Sequence, residues 1–233
     1  MIEDIQEDQA QEKGAEDSPM ALYERALEFF GYRSICGIDE AGRGPLAGPV
    51  VAAAVILPFP CSIVGIRDSK QLSPKKRESL FNQILRDAVA VATGVVENEA
   101  IDQMNILNAT LLAMGRSLSG LSVRPDYLLI DALTLPDTAI PQSGIIHGDA
   151  LSISIAAASI IAKVTRDRIM DQYHAEFPEY NFGVHKGYGT KEHLSKIDIH
   201  GPCRLHRKTF RGVRPSQGML PLREVRPLRG IAG

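Results

Sequence analysis

A four-residue apolar run, Ile35-Cys36-Gly37-Ile38, ends on two adjacent carboxylates, Asp39 and Glu40. A glycine-rich turn, Gly42-Arg43-Gly44-Pro45, then leads into a second apolar run over 50–57. Runs of this length and character read as buried strands. Acids at the end of a buried strand are costly unless something offsets their charge. A divalent cation does so, since Mg²⁺ and Mn²⁺ prefer carboxylate oxygens. Successive side chains of a strand point to opposite faces, so both acids reach one ion only where the strand ends. The glycines leave N–H groups bare beside the acids, where a phosphate or sugar can approach. The same residues read equally as a strand end with a solvated acid pair and a tight turn.

The pattern recurs. An apolar run over 127–130 meets Asp131, and a short strand over 144–146 leads into His147-Gly148-Asp149. With a first strand at 34–39, a second at 50–57 and a third at 90–96, five strands are predicted. Helices are expected from 20 to 30, over 74–88 behind the Ser73-Pro74 start, over 98–118 with Gly120 closing it, over 153–174 and over 191–199. The fourth carries the small residues Ala156-Ala157-Ala158-Ser159, a face that lets a helix sit close to a sheet. Strands alternating with helices make an α/β domain. In such folds sites form outside strand ends. A lone acid there is ordinarily a helix cap or a solvated turn. Three acid-bearing ends, with Asp39, Glu40, Asp131 and Asp149, instead describe an oxygen-only site for one or two Mg²⁺ or Mn²⁺ ions. Two such ions can activate a water and stabilise the leaving oxygen of a phosphodiester. Arg43 and Lys70 are placed for its phosphate.

The length of 233 residues suits one large domain with appendages. Residues 1–18 are acidic and read as disordered, 19–212 as the domain, and 213–233 as a basic tail. Net charge is −2 and the sequence pI near 6.3, which excludes a globally basic nucleic-acid binder. The basic residues from Arg204 onward read either as a phosphate-tracking segment or as a solubilising one. No apolar run approaches the roughly 18 residues of a membrane span. The three separated cysteines, Cys36, Cys61 and Cys203, suit a reducing compartment and no Cys-based zinc site. A cytoplasmic monomer is expected, without membrane contact.

The segment from Gly37 to Val50, GIDEAGRGPLAGPV, resembles the opening motif of the ribonuclease HII family. Asp68-Ser69-Lys70 with Leu72-Ser73, Ile130-Asp131, the stretch SIAAASIIAKVTRD from Ser154 to Asp167, and His185-Lys186-Gly187-Tyr188-Gly189-Thr190 resemble its further motifs, in the family's order. The resemblance implies a ribonuclease H-like fold, a mixed central sheet flanked by helices with a small helical part near the C-terminus. It implies an endonuclease that cuts the RNA strand of RNA–DNA hybrids and nicks DNA duplexes 5′ to embedded ribonucleotides, leaving a 3′-hydroxyl and a 5′-phosphate. By the family pattern Asp39, Glu40, Asp131 and Asp149 match the four metal-binding carboxylates, with Asp39 bridging two ions. Gly42-Arg43-Gly44 matches the turn whose backbone holds the adjacent phosphate and reads the 2′-hydroxyl, the atom that distinguishes RNA from DNA. Tyr188 matches the residue that packs on the following sugar, and Lys70 and Lys186 are read as substrate contacts. Two departures stand out: Ala132 where the family usually has Gly, and His147 where it often has Lys.

Other readings compete at single residues. Asp167, between Arg166 and Arg168, rivals Asp149 but reads as an ion-paired helical acid. Lys163 and Arg166 read equally as facing nucleic acid or solvent. His185, His193, His200 and His206 fit no familiar zinc spacing. The spacing from Gly42 to Gly48 misses both the dinucleotide and P-loop patterns. A non-catalytic hybrid-binding protein is disfavoured by four intact acids. The sister family, ribonuclease HIII, is disfavoured by the short stretch before the first strand.

Overall fold

The structure, a computed structural model, describes residues 19–213. The acidic segment 1–18 and the basic tail from 214 onward lie outside the described residues. Five strands form one mixed sheet in the order β3-β2-β1-β4-β5. They are β1 (Ile35–Ala41), β2 (Val50–Ile56), β3 (Ala90–Val96), β4 (Tyr127–Asp131) and β5 (Gln142–Ile145). β1, β2 and β3 pair antiparallel, while β4 joins β1, and β5 joins β4, in parallel.

The long helix α6 (Ile153–Glu176) lies on one face of the sheet, with α2 (Pro74–Asp87) beside it. On the other face, α3 (Asn98–Met104) and α4 (Ile106–Ser119) cover Cys36, Ile38, Ala52 and Ala54. α1 (Leu22–Phe29) precedes the sheet, the short α5 (Gly148–Leu151) follows β5, and α7 (Phe182–His185) and α8 (Lys191–His200) close the chain. The small-sided stretch of α6 does bring it against the sheet. Ala156, Ala157 and Ala158 are fully buried, and a Cβ on Gly37 of β1 would stand 2.1 Å from the carbonyl carbon of Ser154. No helix among the described residues is long and apolar enough to cross a membrane.

Four expectations need correction. β1 does not end at Asp39 but runs on to Ala41, because Asp39, Glu40 and Ala41 continue the ladder to Ala53, Ala52 and Val51. The helix expected over 98–118 breaks at Asn105, whose backbone adopts φ 72° and whose side chain accepts the Asn108 N–H to cap α4. The strand expected over 144–146 is shifted to Gln142–Ile145, leaving Ile146 exposed. Asp149 is therefore not at a strand end. It is the second residue of α5, which begins after His147 turns the chain with φ 59°.

Candidate active site

Ile38 pairs with Ile130 across the parallel ladder, so the next residues, Asp39 and Asp131, lie side by side on adjacent strands. Both fall on the face that carries α6, by the alternation that places Ile38 and Ile130 on the opposite one. Asp39 is buried, and its Oδ1 accepts the Glu40 N–H at 2.7 Å. Burial first, then the charges of Glu40 and Asp131, hold its carboxyl well above the usual carboxylate range. Ser159 of α6 donates to it, and Ser159 is itself hydrogen bonded to Ser69 at 2.9 Å. Asp131 is raised too, chiefly by burial, against the N–H of Gly148 that reaches its Oδ1 at 2.7 Å.

Alternation sets Glu40 on the other side of β1. Its Oε1 takes Arg43 at 3.3 Å, and its Oε2 is buried without any hydrogen-bond partner. Burial raises the Glu40 carboxyl, with Arg43 opposing. Asp149 is buried and joined to the Lys70 ammonium at 2.9 Å. That bond first of all raises the Lys70 amine. The junction carrying Asp149 is braced by Glu24 of α1, whose Oε1 accepts from the Ser152 hydroxyl at 2.6 Å and the Ser154 N–H at 3.0 Å.

Among the described residues no three Asp, Glu, His or Cys side chains stand close enough, in this arrangement, to form an ion cage. β1 continues past Glu40, and its alternation directs the Asp39 and Glu40 side chains to opposite sides. The donor chemistry nonetheless fits a hard divalent cation. Besides burial, the charges of Glu40 and Asp131 raise Asp39, that of Asp131 raises Glu40, and a buried Glu40 oxygen lacks any partner. A bound cation relieves both.

The glycine-rich loop lies beside the acids. Tyr188 is part-exposed, and its ring edge comes within 3.8 Å of where a Gly44 Cβ would be. The loop is tied to the segment around Tyr188 by the Leu46 N–H on the Gly187 carbonyl at 2.8 Å. Lys186 follows the short helix α7, whose end it caps. Its ammonium pairs with Asp171, and it lines a cavity of about 240 Å³ together with Arg77, Asp167 and Arg168. Asp167 is ion-paired as expected, to Lys163 at 2.7 Å and Arg77 at 3.8 Å. Arg166 faces neither nucleic acid nor solvent but is buried beneath the loop. A larger cavity of about 840 Å³, between α4 and residues 135–138, contains none of the predicted site residues.

Sequence reasoning missed what holds the loop. Arg207 donates to the carbonyls of Gly42, Arg43, Gly48 and Pro49, and Arg166 to those of Pro49, Ala47 and Lys186. Nothing in the sequence separates Arg207 from its basic neighbours Arg204, Lys208 and Arg211. A histidine chain supports Tyr188. The Cys203 N–H reaches His206 Nδ1, His206 and His193 meet through Nε2 at 3.1 Å, and His193 Nδ1 meets the Tyr188 carbonyl at 2.9 Å. His185 stacks on His193, with ring centroids 4.4 Å apart.

A mixed five-stranded sheet with acids side by side on two adjacent parallel strands, and another on the helix after a third, defines a ribonuclease H-like protein. The model of the family described as "Ribonuclease HII" matches residues 36–213. The chain is 53% identical to ribonuclease HII of Bacillus subtilis (strain 168), over 91% of this chain and 84% of that protein. It is 58% identical to ribonuclease HII of Syntrophus aciditrophicus (strain SB), over 82% of this chain and 91% of that one. Among solved structures it resembles ribonuclease H2 of Pyrococcus horikoshii OT3, with TM-score 0.65 and 28% identity over 77% of this chain and 95% of that chain. The chain belongs to the ribonuclease HII family.

Proposed function

We propose that this chain cleaves a phosphodiester 5′ to a ribonucleotide, in RNA–DNA hybrids and in DNA duplexes with embedded ribonucleotides. The family makes it a hydrolase of the RNA strand of hybrids and carries a divalent-metal requirement. That the ions are two, and Mg²⁺ or Mn²⁺, is part of the proposal. The observation that carries it is the side-by-side placement of Asp39 and Asp131, next to a Glu40 whose buried Oε2 lacks a partner.

Asp39, Glu40, Asp131 and Asp149 would hold the ions, and the other groups act on the substrate. Divalent ions bound there supply an activated water and charge for the departing oxygen. Lys70, exposed along its stem and paired with Asp149, keeps a positive charge at the edge of the acids for the substrate phosphate. Arg43 offers a second, and the backbone of Gly42-Arg43-Gly44 meets the ribose. Tyr188 presents its ring for packing on the next sugar. Lys186 would act at a distance from the acids, beside Asp171.

A nicking assay on a DNA duplex with one ribonucleotide tests the reading, with Mg²⁺ and Mn²⁺ arms, an all-DNA duplex and the Asp39→Asn variant. One metal-dependent nick 5′ to the ribonucleotide, absent from both controls, is expected. Cleavage of long hybrids alone overturns the single-ribonucleotide part. No cleavage by folded, metal-loaded protein overturns the whole.

A further inference from the structure

Two arginines, Arg166 and Arg207, are among the largest fully buried side chains of the protein. Burying a guanidinium is expensive, and the usual remedy is a carboxylate partner. Neither has one. Arg207 makes four hydrogen bonds and Arg166 three, and every one goes to a main-chain carbonyl. Six of the seven bonds go to carbonyls of residues 42–49, with that of Pro49 shared by both, so the two guanidiniums serve one loop. Burial, together with the neighbouring Arg166 charge, pulls Arg207 down to about 9. A pair of apolar residues would fill this space at lower cost, which directs attention to what the guanidiniums do to the loop.

Peptide geometry supplies the answer. In a planar trans peptide the C=O of one residue and the N–H of the next point in opposite directions. Arg207 draws the Gly42 carbonyl inward at 2.6 Å and the Arg43 carbonyl at 3.0 Å. The N–H groups of Arg43 and Gly44 are thereby turned away from Arg207, and neither has a hydrogen-bond partner among the described residues. Gly42 makes this possible. Its φ is +98°, and a Cβ there would stand 2.1 Å from Arg166 Nε. The Tyr188 ring borders the same turn, 3.8 Å from where a Gly44 Cβ would stand.

We infer that Arg207, assisted by Arg166, is a positioning residue that aims the N–H groups of Arg43 and Gly44 outward as a donor pair for a ribose 2′-hydroxyl and its adjacent phosphate oxygen. This deepens the proposed function and rests on it. Preset donors cost nothing to organise when the substrate arrives. The buried cations also place uncompensated positive charge behind the loop, which favours the same oxygens. Lysine cannot replace this fork, because one ammonium cannot span four carbonyls.

The test uses the full chain and its Arg207→Lys variant. Binding to a duplex with one ribonucleotide and to the matching all-DNA duplex is measured with Ca²⁺, and cleavage with Mg²⁺. The variant should lose about 100-fold in kcat/KM on the ribonucleotide duplex, the scale of a small misplacement of a positioned group. Its preference for the ribonucleotide duplex over DNA should shrink towards one, while the rise in Tm caused by Mn²⁺ stays as in wild type. A merely structural role would weaken both duplexes equally and leave the preference intact, and that result overturns the inference. Should the variant not fold, the wild-type amide resonances of Arg43 and Gly44 decide. They should shift with the ribonucleotide duplex and not with DNA, and equal responses overturn the inference. A wild-type chain that never nicks the ribonucleotide duplex removes the proposed function, and the inference with it.

Discussion

The buried acids at the sheet edge weigh on stability residue by residue. Asp39, Glu40 and Asp131 have carboxyl groups raised in the folded state, mainly by burial. A raised acid contributes stability that is present below the ordinary carboxylate range and lost as pH rises through the shifted value. At neutral pH these groups therefore oppose folding, and under the proposed function a bound cation would relieve this. Asp39→Asn removes one charge at constant volume, and its Oδ1 can still accept the Glu40 N–H. That variant should lose cleavage yet unfold at a higher temperature than wild type in EDTA, by about 2–4 °C for each 1 kcal/mol of repulsion relieved. A lower midpoint would show that Asp39 is a structural carboxylate. These acids were legible in the sequence because each ends or follows an apolar run, where a charge needs a reason. Arg166 was not, since a guanidinium in a polar-looking helix reads as surface until the loop that covers it is in place.

At the scale of elements, the contact of α6 with β1 decides the geometry of the site, because α6 brings Ser159 to Asp39 and its start follows the α5 turn that holds Asp149. Gly37 lets the two backbones meet, with the space for a Cβ already taken by Ser154 at 2.1 Å. Gly37→Ala should destabilise the protein at or above the upper end of the 1–3 kcal/mol typical of overpacking, read as a fall in the urea midpoint. An unchanged midpoint would mean that α6 moves away freely. The segment carrying Tyr188 depends instead on histidines. Burial lowers His193 and His206 from 6.5 to about 4. Bases with lowered values stabilise the fold above pH 6.5, and that contribution is lost as pH falls towards 4. Stability should therefore drop with acid across this window, and His206→Gln should flatten the slope relative to wild type in pH-resolved urea titrations. The same slope in both proteins would exclude the histidine chain as its source. The break at Asn105 shows why element boundaries were less legible. An apolar helical pattern continues through it, and only the capping side chain and the packing of α3 against α4 reveal the turn.

For the molecule as a whole, the proposed function links cation binding to folding. A ligand that binds only the folded state stabilises it by about 2.7 kcal/mol at 100 times its dissociation constant. For a chain of this size Mn²⁺ or Mg²⁺ at that excess should raise Tm by about 5–10 °C. Asp131→Asn should abolish most of the rise, and an unchanged rise in that variant would place the ions elsewhere. The sequence by itself determined the α/β class and the order of the five strands, and singled out Asp39, Glu40 and Asp131 as candidates, because apolar periodicity and buried charge are local properties of the chain. Motif order also carried the family. Only the tertiary structure decided that β1 continues past its acids, that Asp149 sits on a helical turn joined to Lys70, and that Lys186 pairs with Asp171. It alone decided that Arg166 and Arg207, 41 positions apart in sequence, meet beneath one loop. Those facts depend on which carbonyls and charges distant segments bring together, and burial, which sets their strength, exists only once the chain has folded.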